Sequence, residues 1–193
     1  FVELLPAQQR VKDSWYTGTA DAVYQNLDII ETVNPDFVLI LAGDHIYKMN
    51  YAAMVQHHIE SGADITVGCI QVPVKTAREF GVMSVDQHNW VNQFSEKPKD
   101  PQTIPGMPGM SLASMGIYVF PKALLSELLM LDADQEGSAH DFGKNIIPDA
   151  VNRLKVSAFP FTDSNTGNTA YWRDVGTIDS YFEANMDLLS VTP

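Results

Sequence analysis

Two aspartates stand where a protein would place metal-binding carboxylates. Asp44 follows the apolar run "FVLILAG" (Phe37–Gly43) and precedes His45. Asp174 sits in "YWRDVGT" (Tyr171–Thr177), between an aromatic pair and Gly176. Mg²⁺ takes oxygen ligands, usually one or two carboxylates plus the phosphates of a substrate. Two aspartates far apart in sequence can converge on one such ion. Each also has a plainer reading. Asp44 serves equally well as a turn or helix N-cap residue. Asp174, taken alone, reads more simply as a partner of Arg173 or a cap on the next helix.

Two further motifs offer phosphate and sugar contacts. In "QFSEKP" (Gln93–Pro98), Lys97 is a compact cation able to hold a phosphate, and Glu96 can accept hydrogen bonds from sugar hydroxyls. As an isolated motif it reads as an exposed Glu-Lys pair before a turn. In "WYTGTADAV" (Trp15–Val23), Gly18 and Thr19 open a helix whose N-terminus suits an anion. Trp15 and Tyr16 precede it within stacking reach. The alternative is an ordinary N-cap with a hydrophobic staple.

Other chemistries lack their motifs. HExxH, CxxC, GxSxG, GxGxxG and the phosphate-binding P-loop are absent. His57 and His58 are neighbours on a helix, point apart and make a poor metal pair. The net charge of -12 argues against a nucleic-acid partner, which requires a Lys/Arg surplus. A small phosphorylated ligand remains accessible through a few local cations and a divalent ion. No apolar run approaches the about 20 residues of a membrane helix, and no secretory signal opens the chain. The single cysteine, Cys69, rules out an internal disulfide and fits a reducing, cytoplasmic compartment. Within "ITVGCIQV" it reads as a small buried hydrophobe.

The elements that must position these residues alternate between apolar runs and helical patterns. The spacing predicts a strand over 37–43, a helix over 51–63 closed by Gly62, and a strand over 64–72. This is a βαβ unit, and strands apolar on both faces suit a parallel sheet. Helices are expected over 18–33, 122–131, 141–151 and 177–190, and strands over 90–94, 113–121 and 154–162. The proline-rich stretch 97–110 must be loop, either a surface linker or the border of a ligand site. In such a sheet, ligands bind beyond the carboxyl ends of strands, where Asp44 lies. The chain reads as one domain over 1–193. It opens without Met, as if inside a longer protein, and "LLSVTP" reads as a domain edge.

In order, "WYTGTADAV", "ILAGDHIYKMNY", "FGVMSVD", "FSEKP", "SLASMGIYVF", "HDFGKNIIP" and "YWRDVGTIDSYFEANMDLL" resemble the bacterial glucose-1-phosphate adenylyltransferase family over essentially the whole chain. The resemblance implies an α/β, Rossmann-like (GT-A type) nucleotidyltransferase domain with a mainly parallel sheet. It implies a reaction in which ATP and α-D-glucose 1-phosphate give ADP-glucose and pyrophosphate, and a cytoplasmic homotetramer. By position, Asp44 and Asp174 would hold Mg²⁺ and act in catalysis with Lys97, which would bind the sugar phosphate. Glu96 would take the sugar, and Gly81, Ser114, Tyr118 and Tyr16 would line the substrate pocket. Trp15, Gly18 and Thr19 would lie by the nucleotide. The family's glycine-rich nucleotide loop and its C-terminal β-helix are not in this sequence, so the 193 residues alone are expected to be inactive. Where many bacterial relatives carry a basic pair tied to effector binding, this chain has Glu31 and Thr32. Two alternatives stay open: a sister enzyme using another nucleoside triphosphate, and a non-catalytic regulatory subunit. The latter would lack catalytic carboxylates or lysines that are present here.

Overall fold

The computed structural model describes residues 2–7, 15–163, 167 and 169–189. Its elements run α1 (Thr19–Tyr24), α2 (Leu27–Val33), β1 (Phe37–Ile40), β2 (His45–Tyr47), α3 (Tyr51–Ser61), β3 (Ile65–Pro73), α4 (Val74–Ala77), β4 (Gly81–Val85) and β5 (Val91–Glu96). They continue with β6 (Met110–Pro121), α5 (Lys122–Ala133), a π-helical turn (Phe142–Ile146), α6 (Ile147–Val151), β7 (Val156–Pro160), β8 (Trp172–Asp174) and α7 (Ile178–Asp187).

The main sheet has the order β5-β4-β6-β3-β7, with β1 also paired to β6. The sheet is mixed where a mainly parallel one was expected, although β1, β3, β4 and β7 all run one way. Hydrogen-bonded pairing is mixed. The β3–β7 ladder is parallel, whereas β6 runs against β1, β3 and β4, and β5 runs against β4. The physical reason is β6 itself. The strands of the β1–α3–β3 unit are not neighbours; β6 slots between them, with Tyr118 opposite Ile40 on one side and Val67 on the other.

Alternation along β6 builds a core on each face of the sheet. Leu112, Tyr118 and Phe120 join Ile65, Val67, Leu125 and Ile147 on one side. Ala113, Met115, Ile117 and Val119 join Met54, Ile70 and Phe161 on the other. Burying a side chain such as Phe120 stabilises by roughly 1.5–3 kcal/mol. Cys69 lies fully inside the first cluster, and burial pushes its thiol well above the usual range, as suits an inert hydrophobe. The two histidines are likewise structural. His57 Nε2 lies 2.9 Å from Ser157 Oγ, and His58 Nδ1 lies 2.9 Å from Thr66 Oγ1.

Three expectations change in detail. The single helix over 18–33 is two helices, broken where Asn26 Nδ2 donates to the Ala22 carbonyl and to the Tyr16 hydroxyl. The strand over 37–43 stops at Ile40, so Asp44 lies in a turn rather than on the strand's last residue. The helix over 141–151 begins as a wide π turn, with the Ile147 amide reaching the Phe142 carbonyl. Pro148 follows directly and has no amide to donate to the Lys144 carbonyl, so a regular α-turn cannot form there. Residues 190–193, with the expected domain edge, lie outside the described residues. Glu31 does not present a bare charge: its carboxylate accepts from Lys122 Nζ at 2.8 Å and from Ser126 Oγ at 3.2 Å.

Candidate active site

The two aspartates meet through a ribbon of three residues per strand. β2 pairs antiparallel with β8, placing His45 opposite Asp174, Ile46 opposite Arg173 and Tyr47 opposite Trp172. One more bond, Val175 amide to Asp44 carbonyl at 2.9 Å, extends the pairing to Asp44. Both carboxylates face Gly176. A Cβ there would stand 3.0 Å from Asp174 Oδ1 and 3.5 Å from Asp44 Oδ2, so glycine keeps open the space the two share. Of the plainer readings, the turn holds for Asp44, while the helix-cap and Arg173-partner readings do not. Arg173 pairs with Asp187 and Glu183, and Thr177 caps α7 through Ser180. Asn50, not Asp44, caps α3. Asp174 Oδ1 accepts from the Gly176 amide at 2.7 Å, which fixes its direction.

No group of three His, Cys, Asp or Glu that could cage a metal occurs among the described residues. Two hard oxygen donors with open space between them fit an ion shared with a ligand's phosphates, such as Mg²⁺. His45 flanks the pair, its Nε2 3.7 Å from Asp44 Oδ1.

Beside the ribbon opens a cavity of about 240 Å³. Asp174, Lys97 and Glu96 line it, as do Gly81, Ser114 and Tyr118. Glu96 ends β5 opposite Gly81 at the start of β4. Its Oε2 lies 2.9 Å from where a Gly81 Cβ would stand and 2.8 Å from where a Gly143 Cβ would stand, so two glycines make its room. Burial, and then the neighbouring Asp141 carboxylate, raise the Glu96 pKa against the pull of Lys97 and Lys144. Burial likewise pushes the Tyr118 phenol up to about 12, so it stays a hydrogen-bond donor at neutral pH. Lys97 sits just past β5 with φ 46°, an unusual backbone for a non-glycine residue; its amide bonds to the Phe80 carbonyl at 3.0 Å. Of the proline-rich loop, Lys97 alone borders this cavity among the described residues.

The Gly18–Thr19 segment behaves differently from expectation. Its helix start points at protein. The amides of Ala20 and Asp21 go to the His140 carbonyl at 2.8 and 3.2 Å, so they are spent before any anion arrives. Gly18 is needed for contact, since a Cβ there would stand 2.2 Å from the His140 oxygen. Thr19 does line the cavity and bonds Asp141 Oδ2 at 3.1 Å. Trp15 is exposed, Tyr16 accepts from Asn26, and neither lines the cavity.

Sequence reasoning assigned no role to Asp141 and Phe142, which form the cavity wall facing Glu96. The available signal was "DFGKNIIP": an Asp followed by a proline seven residues on. Asp141 indeed caps the π turn, its Oδ1 accepting from the Lys144 amide at 3.0 Å. Phe142 packs against Tyr118 and Phe120.

A model of the nucleotidyl transferase family matches residues 1–191. Among curated relatives, glucose-1-phosphate adenylyltransferase 2 of Alkalilimnicola ehrlichii is 58% identical over 193 residues, covering all of this chain and 46% of the relative. The glucose-1-phosphate adenylyltransferases of Nitrosococcus oceani and Methylococcus capsulatus are 58% and 53% identical with the same coverage. The chain thus spans just under half the length of the curated relatives it matches. With the family match covering nearly every residue and the α/β sheet in place, this chain belongs to the nucleotidyl transferase family.

Proposed function

We propose that this chain is part of the catalytic region of a glucose-1-phosphate adenylyltransferase, which transfers AMP from ATP to α-D-glucose 1-phosphate and releases pyrophosphate. One observation carries the reading: the β2–β8 ribbon brings Asp44 and Asp174 together about Gly176, and Asp174 lines the cavity that Lys97 and Glu96 also line. The relatives' names and their identity to this chain support the choice of substrates.

In this reading Lys97 holds the sugar phosphate as a point charge. Glu96 and Asp141 accept from sugar hydroxyls, and Tyr118 and Ser114 supply donors. Asp44 and Asp174 would hold Mg²⁺, which neutralises charge on the triphosphate when bound. A phosphate oxygen of glucose 1-phosphate attacks the α-phosphorus of ATP in line, and pyrophosphate leaves. That oxygen is already ionised at neutral pH, so the protein's task is positioning and charge compensation rather than proton abstraction. No helix among the described residues is long and apolar enough to cross a membrane. A cytoplasmic homotetramer belongs to the same proposal.

The test is pyrophosphate release by the full-length protein with Mg²⁺ and glucose 1-phosphate, comparing ATP, UTP and dTTP. Release with ATP alone is the expected result. A preference for UTP or dTTP would move the protein to a sister activity, and no release with any would favour a regulatory subunit.

A further inference from the structure

Asp132, at the end of α5, is 6% exposed, yet it lines no part of the cavity. A buried carboxylate is costly unless its oxygens are satisfied. Here both are. Oδ1 accepts from Ser138 Oγ at 2.6 Å, and Oδ2 stands 2.7 Å from His140 Nδ1. Since an ionised carboxylate only accepts, the ring nitrogen is the donor. Ser138 Oγ in turn accepts from the His140 amide at 3.0 Å. One buried carboxylate therefore grips the 138–140 loop at two points.

That grip accompanies a left-handed backbone at His140, φ 50°, which is uncommon for a non-glycine residue. The conformation turns the His140 carbonyl onto the first amides of α1. The next two residues are Asp141 and Phe142, which enter the cavity wall. Thr19, carried on α1, closes the loop: its Oγ1 donates to Asp141 Oδ2 and accepts from the Phe142 amide, both at 3.1 Å. A displaced His140 would move both α1 and Asp141, and Asp141 faces Glu96 across the cavity.

We propose that Asp132 is a positioning residue. Acting through Ser138 and His140, it sets the place of Asp141 and Phe142 and hence the affinity of the cavity for a sugar phosphate. The inference rests on the adenylyltransferase reading for the identity of that ligand. It does not rest on it for the positioning.

The experiment uses the full-length protein and the variants Asp132→Asn, Ser138→Ala, His140→Ala and His140→Asn. Michaelis constants for glucose 1-phosphate and ATP are measured separately, along with hydrogen exchange of the segments 18–22 and 140–143. Asp132→Asn and His140→Ala should raise the KM for glucose 1-phosphate about tenfold while leaving that for ATP nearly unchanged. Ser138→Ala, the mildest change, should give a smaller rise of the same kind. His140→Asn should restore much of the loss, because asparagine tolerates the left-handed backbone and its Nδ2 can take the place of Nδ1. Exchange should quicken in those two segments and not in β3 or β6. An equal rise for both substrates, faster exchange throughout the sheet, or no change in either measurement would overturn the proposal. If wild-type protein does not use glucose 1-phosphate, the adenylyltransferase reading fails. Exchange still decides the positioning: quickening confined to the two segments upholds it, and unchanged protection there overturns it.

Discussion

The cavity proposed for the sugar phosphate and the acidic ribbon are built in opposite ways. The cavity takes Gly81, Glu96, Ser114 and Tyr118 from β4, β5 and β6, strands whose other residues fill the two cores. The ribbon is two strands of three residues, joining positions 45–47 to 172–174, with Asp44 at its outer end and its side chain 62% exposed. The proposed binding groups thus stand on the heaviest part of the fold, while the pair proposed to hold a metal stands on one of its lightest. The ribbon touches the second core cluster only through Tyr47 and Trp172 among its strand residues, which in the proposed reading suits groups that adjust as phosphates arrive and leave. A strand locked by core packing suits groups that must recognise a rigid sugar. The difference predicts two kinds of mutational outcome, rate loss at the ribbon and affinity or stability change at the cavity.

The largest effect is expected at the ribbon. Asp44→Asn should lower turnover about 100-fold, or ~2.7 kcal/mol of barrier, with the KM for glucose 1-phosphate little changed. Steady-state kinetics of the full-length protein check this; near wild-type turnover would remove Asp44 from the site.

Gly81→Ala probes the rigid side. Its Cβ would stand 2.4 Å from Phe94 Cζ and 2.9 Å from Glu96 Oε2. The Phe94 ring is buried and cannot swing freely, so overpacking should destabilise by about 1–3 kcal/mol. Denaturant unfolding reads the stability, and sugar-phosphate binding should weaken alongside it. If the residue is accommodated at no cost, the cavity is softer than the ribbon and the comparison reverses.

Much of the rigid half was legible in the sequence. The β1–α3–β3 order, the burial of Cys69, and Glu96 and Lys97 at a strand end all follow from local pattern. The ribbon was not legible, because three-residue strands carry no periodicity and the partners lie more than a hundred residues apart. Asp44 was set at the sheet's rim, but by a strand that ends three residues earlier than its apolar run suggests. Asp141 was missed because "DFGKNIIPDAV" has helical composition; only the missing amide of Pro148 hints at the irregular turn that follows Asp141. The anion-binding reading of the α1 start failed for a related reason, although Thr19 does line the cavity. A helix start with free amides looks the same in sequence as one whose amides are taken by a distant carbonyl.

Glu96→Gln sharpens the contrast within the cavity. It keeps the shape and removes the charge, so the KM for glucose 1-phosphate should rise about tenfold with a smaller change in turnover. Stability should move the other way. The folded Glu96 pKa lies above its ordinary 4.5, so ionisation costs stability as pH rises through 4.5 toward the raised value. Above that window the full cost is present, and glutamine removes it. A glutamine variant both weaker in binding and less stable at neutral pH would contradict the burial argument.

The smallest effect is on pH. Burial lowers the pKa of His57 and His58 below 6.5 in the fold, with the neighbouring His57 adding to the shift at His58. The unfolded chain takes up these protons first, so stability is full above about pH 6.5 and declines as pH falls from there toward the lowered values. The difference in denaturation midpoint between wild type and His58→Gln, followed from pH 7.5 to 5.5, isolates this contribution. It should shrink as pH falls; a constant difference would mean that His58 does not titrate in the fold as described.

The most direct test of the proposed shared metal site is a double-mutant cycle on Asp44 and Asp174. Pyrophosphate release by the full-length protein is measured against Mg²⁺ concentration for wild type, Asp44→Asn, Asp174→Asn and the double variant. Two carboxylates holding one ion act as a unit, so the double variant should be little slower than the worse single variant, and each single variant should need more Mg²⁺. Losses that multiply, with an unaltered Mg²⁺ requirement, would show that the aspartates act separately and that the ribbon does not build a common metal site.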